Sequence, residues 1–180
     1  MTDQTYIQKL IDFFGFEPLK VEGGQFLQTY KSPEKLPMDV LPQGYHEPHP
    51  MGTAILYLYT SDPDSFSAVH KLPTEEIYHH YLGDPVQMLL LYPDGRSERI
   101  ILGSDVLNGQ KVQFVVPRGV WQSSHLLPGG AYALAGTTMA PGYEDMDYQG
   151  GEREELIQRY PQEAELIRQL TRKNSPLRIE

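Results

Sequence analysis

Brief apolar runs separated by turn residues extend from residue 23 to about residue 138. Val, Ile, Leu, Tyr and Phe dominate the runs, and Gly, Pro, Asp and Asn lie between them, which is typical of β-strands joined by turns. Turns such as Pro93-Asp94-Gly95 favour antiparallel hairpins, because no helical pattern is present to return the chain for parallel pairing. A jelly roll or similar closed β-barrel is expected, since it leaves few exposed strand edges. The predicted strands cover residues 25–30, 53–60, 65–72, 77–82, 86–92, 96–102, 111–116, 121–126 and 131–138.

Helical spacing occurs on both sides of the strand-rich region. Residues 1–15 predict a short N-terminal helix with Thr2 or Asp3 as its N-cap. Residues 151–173 predict a C-terminal helical cap, built as one helix broken at Pro161 or as two short helices. Both segments carry apolar residues on one face, so we expect them to pack against the barrel.

The length of the chain, 180 residues, suits one sizeable hydrophobic core. We therefore expect a single domain over residues 1–180, with the β-barrel over residues 23–140. The expected fold class is mainly all-β, with a short N-terminal helix and a C-terminal helical segment.

The charge balance and the absence of cysteine exclude several classes of function. The chain has 15 Lys and Arg against 24 Asp and Glu, a net charge of -9, so we expect neither nucleic acid nor an anionic membrane as a partner. Without cysteine there are no disulfides, thiolate nucleophiles or Cys-ligated metals. The longest apolar stretch, residues 88–92, is too short to cross a bilayer, and residues 1–14 lack the apolar core of a signal peptide. We expect a cytoplasmic protein.

The segment HKLPTEEIYHHYLG, residues 70–83, contains a spaced set of polar and glycine residues. His70 is followed by Leu72 two positions later, then by Glu76 after three intervening residues and by Gly83 after six more. This spacing is similar to the first motif of the cupin superfamily, a His-x-His pair followed by Glu and Gly, with Leu72 at the second histidine position.

The segment PRGVWQ, residues 117–122, is similar to the second cupin motif. Pro117 and Gly119 match its Pro-x-Gly-x-x-His pattern, and Gln122 stands at the histidine position. The chain thus resembles the cupin superfamily of RmlC-like jelly rolls, and more narrowly a family of small single-domain cupins of unassigned function, over nearly its whole length. The resemblance implies one cupin barrel whose interior holds a ligand.

The resemblance also implies where a metal would bind, and two of the four usual ligand positions are altered. His70, Glu76 and Gln122 offer one imidazole, one carboxylate and one neutral amide oxygen, which is a poor donor set for a transition metal. We therefore expect no metal cofactor. The alternative is a divalent metal held by these three residues, with His79 or His80 turned inward to complete the set.

An imidazole beside a carboxylate inside an apolar barrel is also an arrangement for proton transfer, because the carboxylate orients the imidazole and raises its basicity. Alternate residues of a strand share a face, so Glu76, Tyr78 and His80 point one way unless a bulge intervenes, and His79 points the other way. The candidate catalytic residues are His70, Glu76 and His79. The candidate ligand-binding residues are Tyr78, His80, Gln122, Tyr57 and Tyr132.

Purely structural roles are the alternative for these side chains. A buried carboxylate needs a partner, so Glu76 is expected to form a salt bridge with Lys71, Arg96 or Arg118 if it has no chemical role. His79 is equally consistent with a hydrogen-bonded histidine of the core.

Three functions agree with these residues. The first is a metal-independent enzyme, similar to the sugar isomerase and epimerase branch of the cupins, acting on a sugar-like or other small polar molecule held near His70 and Glu76. The second is a small-molecule binding or sensing protein without turnover. The third is a metal-dependent cupin enzyme with an unusual ligand set.

The resemblance further implies a homodimer, because small cupins usually pair their barrels. Residues 24–31 are the segment expected to reach the neighbouring subunit. Size-exclusion chromatography with light scattering tests this prediction, and a species of 20.5 kDa, the mass of one chain, would contradict it.

Overall fold

The structure is a computed structural model that describes residues 3–173 and 176–179. Its strands are β1 Glu17–Pro18, β2 Gln25–Lys31, β3 Lys35–Leu36, β4 His49–Pro50, β5 Thr53–Thr60, β6 Phe66–Lys71, β7 Glu76–Gly83, β8 Val86–Leu91, β9 Ser97–Leu102, β10 Gln113–Val116, β11 Trp121–Leu126, β12 Tyr132–Met139 and β13 Gln149–Gly150. Its helices are α1 Asp3–Phe14, α2 Arg153–Arg159 and α3 Ala164–Gln169. The alternative N-cap Thr2 lies outside the described residues.

All nine predicted strands are present, and their ends differ from the predicted ones by at most two residues. The strands without a prediction are β1, β3, β4 and β13, which contain two residues each. Two residues are too few to show the alternation by which a strand is recognised in sequence.

Two antiparallel sheets form the barrel. One has the strand order β1-β2-β5-β12-β7-β10, and the other has the order β13-β6-β11-β8-β9. From β5 to β8 the chain alternates between the two sheets, so strands that follow one another there lie in different sheets. The predicted class, mainly β with short helices at both ends, is confirmed.

Strand β8 shows why the barrel has two buried layers. Met88 and Leu90 point between the two sheets, whereas Leu89 and Leu91 point to the outer face of their own sheet, beneath the C-terminal helices. Successive side chains of a strand point to opposite faces, so a strand covered on both sides is apolar throughout. This burial explains the unbroken apolar run at residues 88–91.

The helices cover opposite outer faces of the barrel. Ile7 and Leu10 of α1 pack on Leu58 and Leu134 of the six-stranded sheet. Helices α2 and α3 cover the five-stranded sheet, and Pro161 begins a short 3-10 turn between them, so the two-helix alternative is correct. Along the described part of the chain, no helix combines the length and apolarity needed to cross a membrane.

Candidate functional site

A cavity of about 340 Å³ lies between the two sheets. Residues of both sheets line it, together with the turn before β2 and the segment after β12. A narrow extension of about 20 Å³ ends among the rings of Tyr57, Tyr59 and Tyr78, and it shares the walls formed by Glu22 and Glu76 with the main cavity. The cavity thus combines carboxylates near its middle with phenol rings at its closed end.

Strand β6 places His70 in the wall of this cavity, with 2% of the residue exposed. Its Nδ1 lies 2.8 Å from the carbonyl oxygen of Ala68, and because a carbonyl only accepts, Nδ1 carries a proton and donates it. Its Nε2 faces Glu76 Oε2 at 3.9 Å, and its ring stacks on Tyr148 with centroids 5.3 Å apart. These contacts hold the imidazole in one orientation.

Glu76 and Gln122 reach His70 from the two sides of the barrel. Glu76 is the first residue of β7 in the opposite sheet and is buried. Gln122 of β11 pairs with His70 across adjacent strands, and its Nε2 donates to Glu76 Oε2 at 2.7 Å. Gln122 Oε1 is buried and has no hydrogen-bond partner within the residues described. The two motif segments therefore bring their polar side chains together.

The prediction of a salt bridge from Glu76 to Lys71, Arg96 or Arg118 was wrong for the described residues, since its close charged neighbour is His70. Lys71 follows His70 on β6 and therefore points out of the barrel, where its Nζ lies 4.5 Å above the ring of Trp121. Arg96 and Arg118 bond to loop residues of the surface.

Glu22, in the turn between β1 and β2, is a third ionisable group of this site, and the sequence interpretation did not include it. Ser67 Oγ donates to Glu22 Oε1, and the Ala68 N–H donates to the Glu22 carbonyl oxygen at 2.8 Å. Gly23 allows this close approach, because its φ is +106° and a Cβ there would lie 2.5 Å from the Phe66 carbonyl oxygen. The sequence feature that could have indicated Glu22 is its position directly before two glycines, since glycines let the backbone approach a neighbouring strand closely.

Burial and neighbouring charges change the proton affinities of His70 and Glu22. Burial alone lowers the pKa of His70, but the negative charges of Glu22 and Glu76 outweigh it and raise the pKa of His70 to about 9. Burial raises the pKa of Glu22, which His70 partly opposes and Glu76 reinforces. His70 is therefore protonated at neutral pH, and Glu22 is more basic than a carboxylate in water.

Two of the predicted tyrosines line the narrow end of the cavity. The Tyr57 hydroxyl donates to the Gly23 carbonyl oxygen at 2.6 Å, and Tyr78 lies on β7 two residues after Glu76. Burial raises the pKa of both phenols well above the ordinary value, so both remain neutral. The structure thus brings together five predicted residues: His70, Glu76, Gln122, Tyr57 and Tyr78.

His79, His80 and Tyr132 lie outside the cavity. The pairing of β7 with β12 is regular from Ile77 through His80 and skips Tyr81, which forms a β-bulge after them. His79 stacks on Tyr81 with ring centroids 6.0 Å apart, and His80 Nε2 lies 3.1 Å from the carbonyl oxygen of Asp84. Tyr132 packs against a tyrosine of α1 with centroids 5.4 Å apart.

A model of a known protein family, described as Cupin superfamily (DUF985), matches residues 8–150. The chain belongs to the cupin superfamily. This cupin is 33% identical over 135 residues to the uncharacterized protein YML079W of Saccharomyces cerevisiae, and the match covers 71% of the chain and 66% of the yeast protein. The resemblance inferred from the two motifs is confirmed.

Two solved structures are similar to this cupin over most of their length. Protein SO0799 from Shewanella oneidensis has a TM-score of 0.77 and 25% identity, covering 93% of this chain and 98% of that protein. A hypothetical protein from Leishmania major has a TM-score of 0.79 and 25% identity, covering 92% and 98%. The elements outside the motifs therefore belong to a shared architecture.

The donor set of this cupin does not fit the metal centre that its motifs would imply. Within residues 3–173 and 176–179, no group of three or more His, Asp or Glu side chains is arranged to hold a metal ion. Leu72 presents a hydrocarbon to the cavity, and Gln122 turns its NH₂ toward Glu76, so two of the four motif positions lack a strong metal donor. The same residues are suited to holding and moving a proton.

The mouth of the cavity is formed by residues that the sequence interpretation did not assign to the site. Lys31, the last residue of β2, forms an ion pair with Glu144 at 2.7 Å. Phe26, Tyr143 and Asp145 also line the cavity. Residues 141–148 have the composition of a loop, so periodicity gave no indication that they cover a pocket.

Proposed function

We propose that this cupin binds a small polar molecule in the cavity and moves a proton on it without a metal, as an isomerase or epimerase of sugar-like compounds. The observation that carries the proposal is a buried imidazole, His70, whose Nε2 faces Glu76 Oε2 at 3.9 Å and which shares the wall of a cavity of about 340 Å³ with Glu76 and Glu22. Titratable groups with shifted pKa values that converge on a cavity favour acid–base chemistry.

The proposed reaction begins at a carbon next to a carbonyl group. Glu22 removes the proton from this carbon, and the electron pair moves onto the carbonyl oxygen as the C–H bond breaks. His70 Nε2–H donates a hydrogen bond to the developing oxyanion, while Glu76 keeps His70 charged and Gln122 holds Glu76 in place. Tyr78, at the closed end, is the proposed donor of a proton to this carbon, which restores the carbonyl group, and exchange with water then returns a proton to Tyr78 and removes the one that Glu22 gained.

The test is hydrogen exchange followed by NMR in D₂O. A panel of aldoses, ketoses and their 6-deoxy derivatives is incubated with protein dialysed against EDTA, and deuterium incorporation next to the carbonyl group is measured. We expect exchange with the wild-type protein and a loss of roughly 10²–10⁴-fold in His70→Ala and Glu22→Gln, since a positioned acid or base contributes about that much. His79→Ala is the matched control, because His79 lies outside the cavity and its loss should leave the rate unchanged.

Two results would contradict the proposal. Exchange that disappears after EDTA and returns with a divalent metal would indicate metal-dependent chemistry. A compound that binds in the cavity but never exchanges would instead favour the non-catalytic binding or sensing protein.

A further inference from the structure

The walls of the cavity carry more negative than positive charge. Two cationic side chains line it, His70 and Lys31, and no arginine of the described residues does. Lys31 is already paired with Glu144, which Lys35 Nζ also approaches at 3.5 Å. The carboxylates that line the cavity are Glu22, Glu76, Glu144 and Asp145. A phosphate or carboxylate group would therefore meet no unpaired cation at this site.

The aromatic walls of the same cavity favour positive charge. Phe26, Tyr143 and Tyr148 line the main chamber, which alone has room for an organic ammonium group, since the narrow end has a volume of about 20 Å³. The face of an aromatic ring is electron-rich and attracts ammonium groups, most strongly where water is excluded. Ring faces combined with carboxylates form the usual chemistry of ammonium recognition in proteins.

The hydrogen-bond inventory also indicates a donor-bearing ligand. Glu76 is 7% exposed, and among the described residues only one of its oxygens, Oε2, receives a hydrogen bond, from Gln122. Glu22 likewise receives one through Oε1 from Ser67. A buried carboxylate oxygen is stable when it accepts hydrogen bonds, so the remaining oxygens on the cavity wall favour a molecule with N–H or O–H groups.

We propose that the ligand of this cavity is a small organic cation, whose ammonium group lies against the aromatic rings and is balanced by Glu22 and Asp145. The inference rests on the proposed function for the location of the site, but it concerns binding and is independent of turnover. The cavity is therefore expected to bind amine-bearing compounds more tightly than phosphorylated compounds.

Three molecules of nearly the same shape test the charge preference: choline, the neutral 3,3-dimethylbutan-1-ol and the anion 3,3-dimethylbutanoate. Titration calorimetry at low ionic strength should show choline binding at least about 10-fold more tightly than the alcohol, as expected for one desolvated cation–π contact plus a carboxylate. The anion should bind most weakly. Raising the salt concentration should weaken choline binding and leave the alcohol unaffected.

Three charge-removing variants test whether the preference for choline arises in the cavity. Asp145→Asn removes an exposed carboxylate at the mouth and is expected to lower choline affinity about 3- to 10-fold without affecting the fold. Glu22→Gln should have a larger effect. Glu154→Gln, an exposed residue of α2, makes the same change in net charge away from the cavity and should have no effect.

Equal affinity for choline and the alcohol would overturn the inference, as would tighter binding of the anion or no binding of choline at millimolar concentration. The outcome of the hydrogen-exchange test of the enzyme does not depend on the outcome of the choline titration. Selective choline binding without exchange on any compound would leave the cation inference intact and reject the enzyme. Exchange confined to neutral or phosphorylated sugars, with no preference for choline, would support the enzyme and reject the cation inference.

Discussion

Replacing Leu72 and Gln122 together with histidine is expected to convert the cavity into a metal site that binds Zn²⁺ or Ni²⁺ at least roughly 10³-fold more tightly than the wild-type protein. Both side chains are buried beside His70 and Glu76, and both occupy positions where the cupin motifs carry histidine. The change supplies two imidazoles to a site that has one imidazole and one carboxylate. Four converging donors are the usual number for a bound transition metal, whereas two are too few.

Metal affinity of the double variant is measured by competition with a chromogenic chelator, alongside Leu72→His and Gln122→His alone. Each single variant should gain less than the double variant, because each supplies one donor. Adding His79→Ala to the double variant should change nothing, since His79 lies on the outer face of the sheet. Affinity equal to that of wild type, or dependence on His79, would show that His70, Glu76 and the two replaced positions do not converge.

The motif spacing was sufficient to predict one half of the site. His70, Glu76 and Gln122 were predicted because two local patterns, combined with alternation along a strand, specify which residues face the interior. The same rule does not show how far the cavity extends: His80 pairs regularly with Ala135, before the bulge at Tyr81, yet it lies outside the cavity near the end of β7, with its Nε2 3.1 Å from the carbonyl oxygen of Asp84. Alternation predicts which face of a strand a residue lies on, whereas the length of the cavity along that strand depends on the other strands and loops that close it.

The other half of the site depends on contacts between distant parts of the chain. Glu22 comes to His70 because its carbonyl oxygen accepts a hydrogen bond from Ala68, 46 positions later, and no local pattern encodes that pairing. The salt-bridge prediction for Glu76 failed for a related reason. It assigned Glu76 a partner by charge type alone, whereas Lys71 points out of the barrel.

The stability of the fold is expected to decrease as the pH rises from 6.5 to about 9. The pKa of His70 is raised from its ordinary value of 6.5 to about 9 in the folded protein, so the protonated imidazole stabilises the fold fully below pH 6.5 and this contribution is lost as the pH passes 9. The size of the loss is on the order of 3 kcal/mol, since one pKa unit corresponds to about 1.4 kcal/mol. The raised pKa of Glu22 acts in the same direction, beginning above pH 4.5.

Urea denaturation at pH 6.5 and pH 9 gives the free energy of unfolding for wild type and His70→Gln. The wild-type value should fall by the amount above, whereas the His70→Gln value should change much less over the same interval, because the variant lacks the group that loses its proton. His79→Gln is the matched control and should lose stability as wild type does, since burial lowers the pKa of His79, so deprotonation of His79 does not destabilise the fold as the pH rises. Parallel losses in wild type and His70→Gln would show that the two carboxylates do not hold His70 in its charged form, and the acid–base assignment would lose its proton donor.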